Sequence, residues 1–122
     1  MGKNIKDLVF IGRSEILYNV IEEVLKNNLY KVKAIITYKA SKEYLKNEND
    51  YKELALKFNI PFFYTNSINN PEIIELVNGS SIGVSFNWIK VIDNNFINQF
   101  KYGVLNVHSS NLISYRGNAV LN

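Results

Sequence analysis

Cysteine is absent from the 122 residues. That excludes disulfide scaffolds, thiolate metal sites and cysteine nucleophiles. Histidine occurs once, so a His-rich metal centre is excluded as well. No apolar run approaches the ~18 residues of a membrane span. The opening MGKNIKDLVFIG has too short an apolar run for a signal peptide, and a cytoplasmic location is the expectation. A clustered basic face is also missing. Fourteen basic residues against eleven acidic ones give a net charge of +3, but they are spread along the chain and only Arg13 and Arg116 are arginines. Nucleic-acid binders usually gather Lys and Arg on one face. The spread argues against a nucleic-acid partner and leaves at most a lean toward an anionic substrate.

What is present suits one folded domain. Apolar residues make up 47%, charged residues 20% and aromatics 13%, a mix that argues against disorder. A chain of this length buries a sizeable core without disulfides. Asn, Ile and Lys are abundant and read as compositional bias. There is no repeat, low-complexity tract or linker.

The order of elements reads as alternation. Ile5 to Gly12 is a short apolar run ending in glycine, a buried strand. Ser14 stands where a helix N-cap would, with Glu15 in the first turn. Ile16, Leu17, Val20, Ile21, Val24 and Leu25 recur at helical spacing and predict a helix over 15–28. Val32 to Thr37 is the second strand, so the opening is a βαβ unit and the sheet is parallel. Residues 38–49 read as a polar loop, followed by a short helix over 51–58 with Leu54, Ala55 and Phe58 on one face. Pro61 to Tyr64 is a strand. Asn70-Pro71-Glu72 starts a helix with proline at its first position, Ile73, Ile74 and Val77 face the core, and Gly79 ends it. Ile82 to Phe86 is a strand, Val91 to Phe100 a short helix and Gly103 to Val107 a fifth strand.

This is an open α/β sheet, mostly parallel and Rossmann-like, with helices on both faces. In such sheets ligands bind beyond the carboxyl ends of the strands. Three segments fall there: Gly12-Arg13-Ser14, Asn87-Trp88-Ile89, and Asn106 onward. The first can cradle an anion at a helix start, but it lacks the G-x-G-x-x-G spacing of a dinucleotide site. Arg13 offers a bidentate fork for phosphate or carboxylate. Asn106 and His108 are two apart, on one face of an extended strand. Ser110 takes the next even position if the chain stays extended. An amide, an imidazole and a hydroxyl thus converge at a strand's carboxyl end. A lone histidine is more often a hydrogen-bonded structural residue, but its position and company favour chemistry here.

At this point the sequence resembles the folate-dependent formyltransferases. Their signature, Asn-x-His-x-Ser, then Leu, then Tyr-Arg-Gly-Asn, stands here as Asn106, His108, Ser110, Leu112, Tyr115, Arg116, Gly117 and Asn118. IGVSFNWIKVIDNNFINQFKYGVLNVHSS resembles the family's strand, hinge, short helix and catalytic strand in order, and FIGRSEILYNVIEEVL its opening strand and helix. The resemblance implies 10-formyltetrahydrofolate as cofactor and an amine that attacks the formyl carbon through a tetrahedral intermediate. It implies that Asn106 donates to the formyl oxygen and that His108, when protonated, donates a second bond and assists proton transfer. Such donors commonly supply ~3 kcal/mol each, and an imidazole of pKa ~6.5 exists in either form near neutrality. The hinge Phe86, Asn87, Trp88 and Ile89 would give backbone contacts to the pterin, with Trp88 beside the ring or covering the core edge. Arg13, Ser110, Tyr115 and Arg116 are the substrate-side candidates, although Arg116 equally suits holding its own loop.

The sequence also departs from the family. The resemblance implies an aspartate a few dozen residues after the histidine, and the sequence ends at Asn122, short of that position. Asp93 precedes the fifth strand and is not assigned the role. Ile113 stands where the family has proline, and Asn118-Ala119-Val120 lacks a second one, which frees the path that proline would fix. The expectation is a single domain over 1–122, truncated on its C-terminal side, with little transferase activity alone. The fifth strand would then lack its next neighbour, an open edge that invites self-association or a second-half chain. The opening and the hinge look most like formyltransferases acting on nucleotide-linked amino sugars. A methionyl-tRNA enzyme, a formyl-folate hydrolase and a non-catalytic binding module are the alternatives.

Overall fold

The computed structural model describes residues 4–107 and the backbone of 113–116. The first strand, β1 (Asp7–Gly12), lies at the centre of a six-stranded sheet. Around it are β2 (Lys31–Thr37), β3 (Phe62–Tyr64), β4 (Ile82–Phe86), β5 (Val104–Val107) and β6 (Ile113–Arg116), in the order β3-β2-β1-β4-β5-β6. The first five run parallel, and β6 pairs antiparallel with β5. The helices are α1 (Ser14–Lys26), α2 (Glu48–Lys57), α3 (Pro71–Val77) and a single turn, α4 (Asn94–Ile97). The expected open, mostly parallel Rossmann-like sheet is what the chain forms. No helix among the described residues is long and apolar enough to cross a membrane.

Both faces of the sheet are covered, which is why β1 is apolar at every position from Leu8 to Ile11. Leu8 and Phe10 pack with Leu17, Ile21 and Val24 of α1 and with Tyr51, Leu54 and Ala55 of α2. Val9 and Ile11 point the other way, to Ile73 and Val77 of α3 and to Phe96, Ile97 and Phe100. Such continuous apolar runs mark parallel strands buried on two sides. In β2 the alternation slips. Leu8 faces Val32 but Val9 faces Ala34, so Lys33 is an extra residue. The bulge moves Ala34 and Ile36 to one face and keeps Val32 and Ile35 on the other.

Four expectations need correction. The buried stripe of α1 is narrower than its apolar spacing, because Ile16 and Val20 are about half exposed. The second helix starts at Glu48, earlier than expected: the Asn47 side chain accepts from the Asn49 and Asp50 N–H groups while Asp50 accepts from the Asn47 N–H. This is a capping box with aspartate in place of the usual glutamate. The helix expected over 91–100 shrinks to one turn capped by Asp93. Finally, the fifth strand has a neighbour: β6 covers the edge expected to be open.

Candidate active site

The chain leaves β1 toward β2 on one side and reaches β4 on the other, so the strand order reverses between β1 and β4. The crevice of an open α/β sheet lies at that switch point, beyond the carboxyl ends of the strands. Gly12 closes β1 there with φ of 154°, and a Cβ on it would sit 2.0 Å from the Phe86 carbonyl oxygen. Only glycine lets β1 and β4 stay this close. The Arg13 N–H then donates to that same carbonyl at 3.0 Å.

Ser14 has φ of 89°, outside helical values, and its Oγ accepts from the Ile16 N–H at 3.2 Å. The N-cap position of α1 nevertheless falls on Arg13, whose side chain makes no capping bond, one residue before the expected Ser14. The Ser14 carbonyl accepts from the Tyr51 hydroxyl at 2.6 Å. Burial removes Tyr51 from water and pushes its phenol well above the usual tyrosine range. Glu15 accepts from the Leu45 N–H at 2.9 Å, and that bond holds its carboxyl below the ordinary value of 4.5.

Arg13 binds the crevice's own walls. Its Nε donates to the Asn87 carbonyl at 3.0 Å and its Nη1 to the Lys39 carbonyl at 3.1 Å, with the guanidinium 5.4 Å from the Tyr44 ring centre. The fork foreseen for an anion therefore ties the hinge to the loop that follows β2. Asn87 is held from three sides. Its φ is 51°, its N–H donates to the Val107 carbonyl at 3.4 Å, and its Nδ2 donates to the Tyr44 hydroxyl at 3.3 Å. Asparagine is among the few residues that tolerate this left-handed conformation.

The structure brings all three expected segments together at their first residues. Asn106 lies in register with Ser85 on the neighbouring strand, and the Ser85 hydroxyl donates to the Asn106 Oδ1 at 2.5 Å. Ser85 is fully buried, whereas Asn106 is partly exposed at the strand's carboxyl end. Phe86 is buried in the core, Trp88 packs partly buried against the α3/α4 side, and Ile89 is exposed. His108 and Ser110 lie outside the described residues. Tyr115 and Arg116 are placed in β6, at the register positions beside Leu105 and Val104. Sequence reasoning missed Ser85 and Tyr51. Neither carries a local signal, since a serine in a buried strand and a tyrosine in a helix are ordinary.

Of the four hinge residues, two leave backbone groups for the pterin that the family resemblance implies. Trp88 and Ile89 make no backbone hydrogen bond to another described residue, so their N–H and C=O groups suit a ring edge that alternates donors and acceptors. A cleft of about 740 Å³ lies elsewhere, among the strand beginnings and helix ends near Lys6, Lys31, Leu29 and Ile60. That is the opposite end of the sheet from Asn106, so its size does not make it the site. Among the described residues no three His, Asp or Glu side chains gather as metal ligands.

The parallel strands, their reversed order and the helices on both faces define an open α/β, Rossmann-like domain. The particular family follows from comparison: the chain belongs to the formyl transferase family, whose model matches residues 6–122. The chain is 26% identical over 119 residues to the methionyl-tRNA formyltransferase of Caldicellulosiruptor saccharolyticus, covering 93% of this chain and 38% of that protein. It is 44% identical over 71 residues to that of a Sulfurihydrogenibium species, covering 56% and 23%. With the Rickettsia rickettsii enzyme it shares 29% over 119 residues, 93% and 39%. The chain thus spans about two fifths of the length of the curated relatives it matches.

Proposed function

We propose that this chain carries the formyl-donor site of a formyltransferase that uses 10-formyltetrahydrofolate and delivers the formyl group to an amine. The observation that carries the reading is Asn106: a partly exposed carboxamide at the carboxyl end of β5, one strand from the switch point, anchored at its oxygen by Ser85. When bound, the folate supplies a carbonyl carbon activated for attack by an amine. The Asn106 NH2 group would donate to the formyl oxygen as negative charge builds there. His108 would donate a second bond when protonated and take or return a proton at its ring nitrogen. Within the hinge 86–89, Trp88 and Ile89 would hold the pterin through their backbone groups, because the Phe86 carbonyl and the Asn87 N–H and carbonyl are already bonded within the protein. Tyr115 and Arg116, expected on the substrate side, pair with Leu105 and Val104 toward the start of β5, away from its carboxyl end, whereas Ser110 would face the acceptor. Arg13 would reach an anion there only through Nη2, since Nε and Nη1 already bind carbonyls.

Two acceptors have support. The relatives named above are methionyl-tRNA formyltransferases, which favours the aminoacyl end of that tRNA and puts it first. The spread of basic charge counts little against it, because this chain covers only part of those proteins' length. The opening residues and the hinge support a nucleotide-linked amino sugar as the second reading.

The test is twofold. Calorimetric titration with a stable 10-formyltetrahydrofolate analogue should give one site per chain. A transfer assay on the full-length protein should yield product with one acceptor and not the other. Asn106→Ala and His108→Ala should each lower kcat by about 100-fold or more. No binding by a folded protein, or wild-type transfer unaffected by either substitution, would refute the reading.

A further inference from the structure

We propose that Ser85 is a positioning residue for formyl transfer: its buried hydroxyl fixes which end of the Asn106 carboxamide is offered to the substrate. The proposal rests on the reading of Asn106 given above. An asparagine amide has an oxygen end and a nitrogen end of nearly equal shape, and its terminal torsion is broad and roughly two-fold. The two orientations have opposite chemistry. With NH2 toward the formyl oxygen the amide stabilises developing negative charge; with Oδ1 there it repels it. The side chain alone does not choose between them.

Ser85 makes the choice through the sheet. Parallel pairing of β4 and β5 sets Ser85 beside Asn106 in register, so both side chains leave the same face of the sheet. Ser85 is 0% exposed, and its Oγ–H donates to the Asn106 Oδ1. A hydroxyl could also accept from the amide NH2, but the buried Ser85 O–H would then give up the Asn106 acceptor it uses here, and an unmade bond from a buried donor is costly. The oxygen end of the amide is thereby turned to β4, and the nitrogen end becomes the donor end. Two contacts hold β4 against β5 around this pair: Val104 and Phe100 pack closely over Gly83 on the same face of β4, and the Asn87 N–H donates to the Val107 carbonyl at the end of β5. Ser85 touches no substrate in this scheme. It acts through Asn106.

The experiment compares wild type, Ser85→Ala, Ser85→Thr, Asn106→Ala and the Ser85→Ala/Asn106→Ala pair in the full-length protein. It combines transfer kinetics with nuclear magnetic resonance of the Asn106 side-chain amide, assigned by its loss in Asn106→Ala. Ser85→Ala should lower kcat about 3- to 10-fold, the effect of one lost hydrogen bond, with the KM for the formyl donor within about twofold. Ser85→Thr, which keeps the hydroxyl, should recover most of the rate. The double variant should be no slower than Asn106→Ala. The Asn106 amide resonances should shift and exchange faster in Ser85→Ala and return in Ser85→Thr. A merely structural serine would lower the rate equally in both backgrounds and leave the amide resonances in place, and either result overturns the proposal. A wild-type protein that transfers no formyl group to either acceptor would instead overturn the functional reading, and this role with it.

Discussion

At the residue scale the crevice depends on positions whose backbone admits few side chains. Gly12 is the sharpest case. A Cβ placed 2.0 Å from the Phe86 carbonyl oxygen cannot be relieved by a rotamer change, because both partners are main chain. Gly12→Ala should therefore destabilise the protein by about 3 kcal/mol or more, or prevent folding, as read from the urea midpoint. Arg13 is subtler. Its planar fork serves two carbonyls while its face rests on Tyr44, and lysine cannot do all three. Arg13→Lys should cost about 1 kcal/mol and raise amide exchange at residues 87–89. Legibility differed among these residues for a physical reason. Asn106 and His108 stand out as candidates in the sequence because an amide and an imidazole spaced by two at a strand's end are unusual. Ser85 does not, because its significance comes from a neighbour twenty-one positions away.

At the scale of elements, strands and caps were readable wherever composition changes sharply. β4 begins and ends where its apolar run does, and Asn70 before Pro71 caps α3 as expected, its Oδ1 accepting from the Ile73 N–H at 2.9 Å. The start of α2 was not readable, since 38–49 is uniformly polar and the capping signal uses aspartate at the third helical position. That box is testable. Asn47→Ala removes both accepted bonds and should lower stability by about 1 kcal/mol, whereas Asn47→Ser should retain most of it; chemical denaturation of the two variants separates these outcomes. The Lys33 bulge was equally hidden. A single extra residue leaves no trace in a run of β-branched side chains, yet it decides which face Ala34 and Ile36 cover.

At the scale of the whole molecule, alternation of strands and helices pointed to a parallel sheet but not to its order. Whether the chain crosses to the left or right of β1 is settled by packing of all the helices at once. β6 was missed because four residues, ISYR, carry no periodic signal and gain their place only by pairing with β5. One contact ties this architecture to pH. Tyr51 on α2 donates to the Ser14 carbonyl at the start of α1, joining two helices beneath the crevice. Its phenol is held protonated above the ordinary tyrosine value of 10.0 because burial disfavours the phenolate. Above that value an unfolded chain releases the Tyr51 proton while the folded chain keeps it. The folded state then binds more protons, so stability falls as pH rises. The contribution is complete below the unfolded pKa and drains away as pH climbs toward the folded one. Urea midpoints measured from about pH 7 to about pH 11 should fall along the alkaline limb in wild type. Tyr51→Phe should start about 1 kcal/mol lower at neutrality, through loss of the hydrogen bond, and should fall less steeply above pH ~10. Parallel curves for the two proteins would mean that some other group governs the alkaline limb and that the bond between α2 and α1 does not couple the fold to pH.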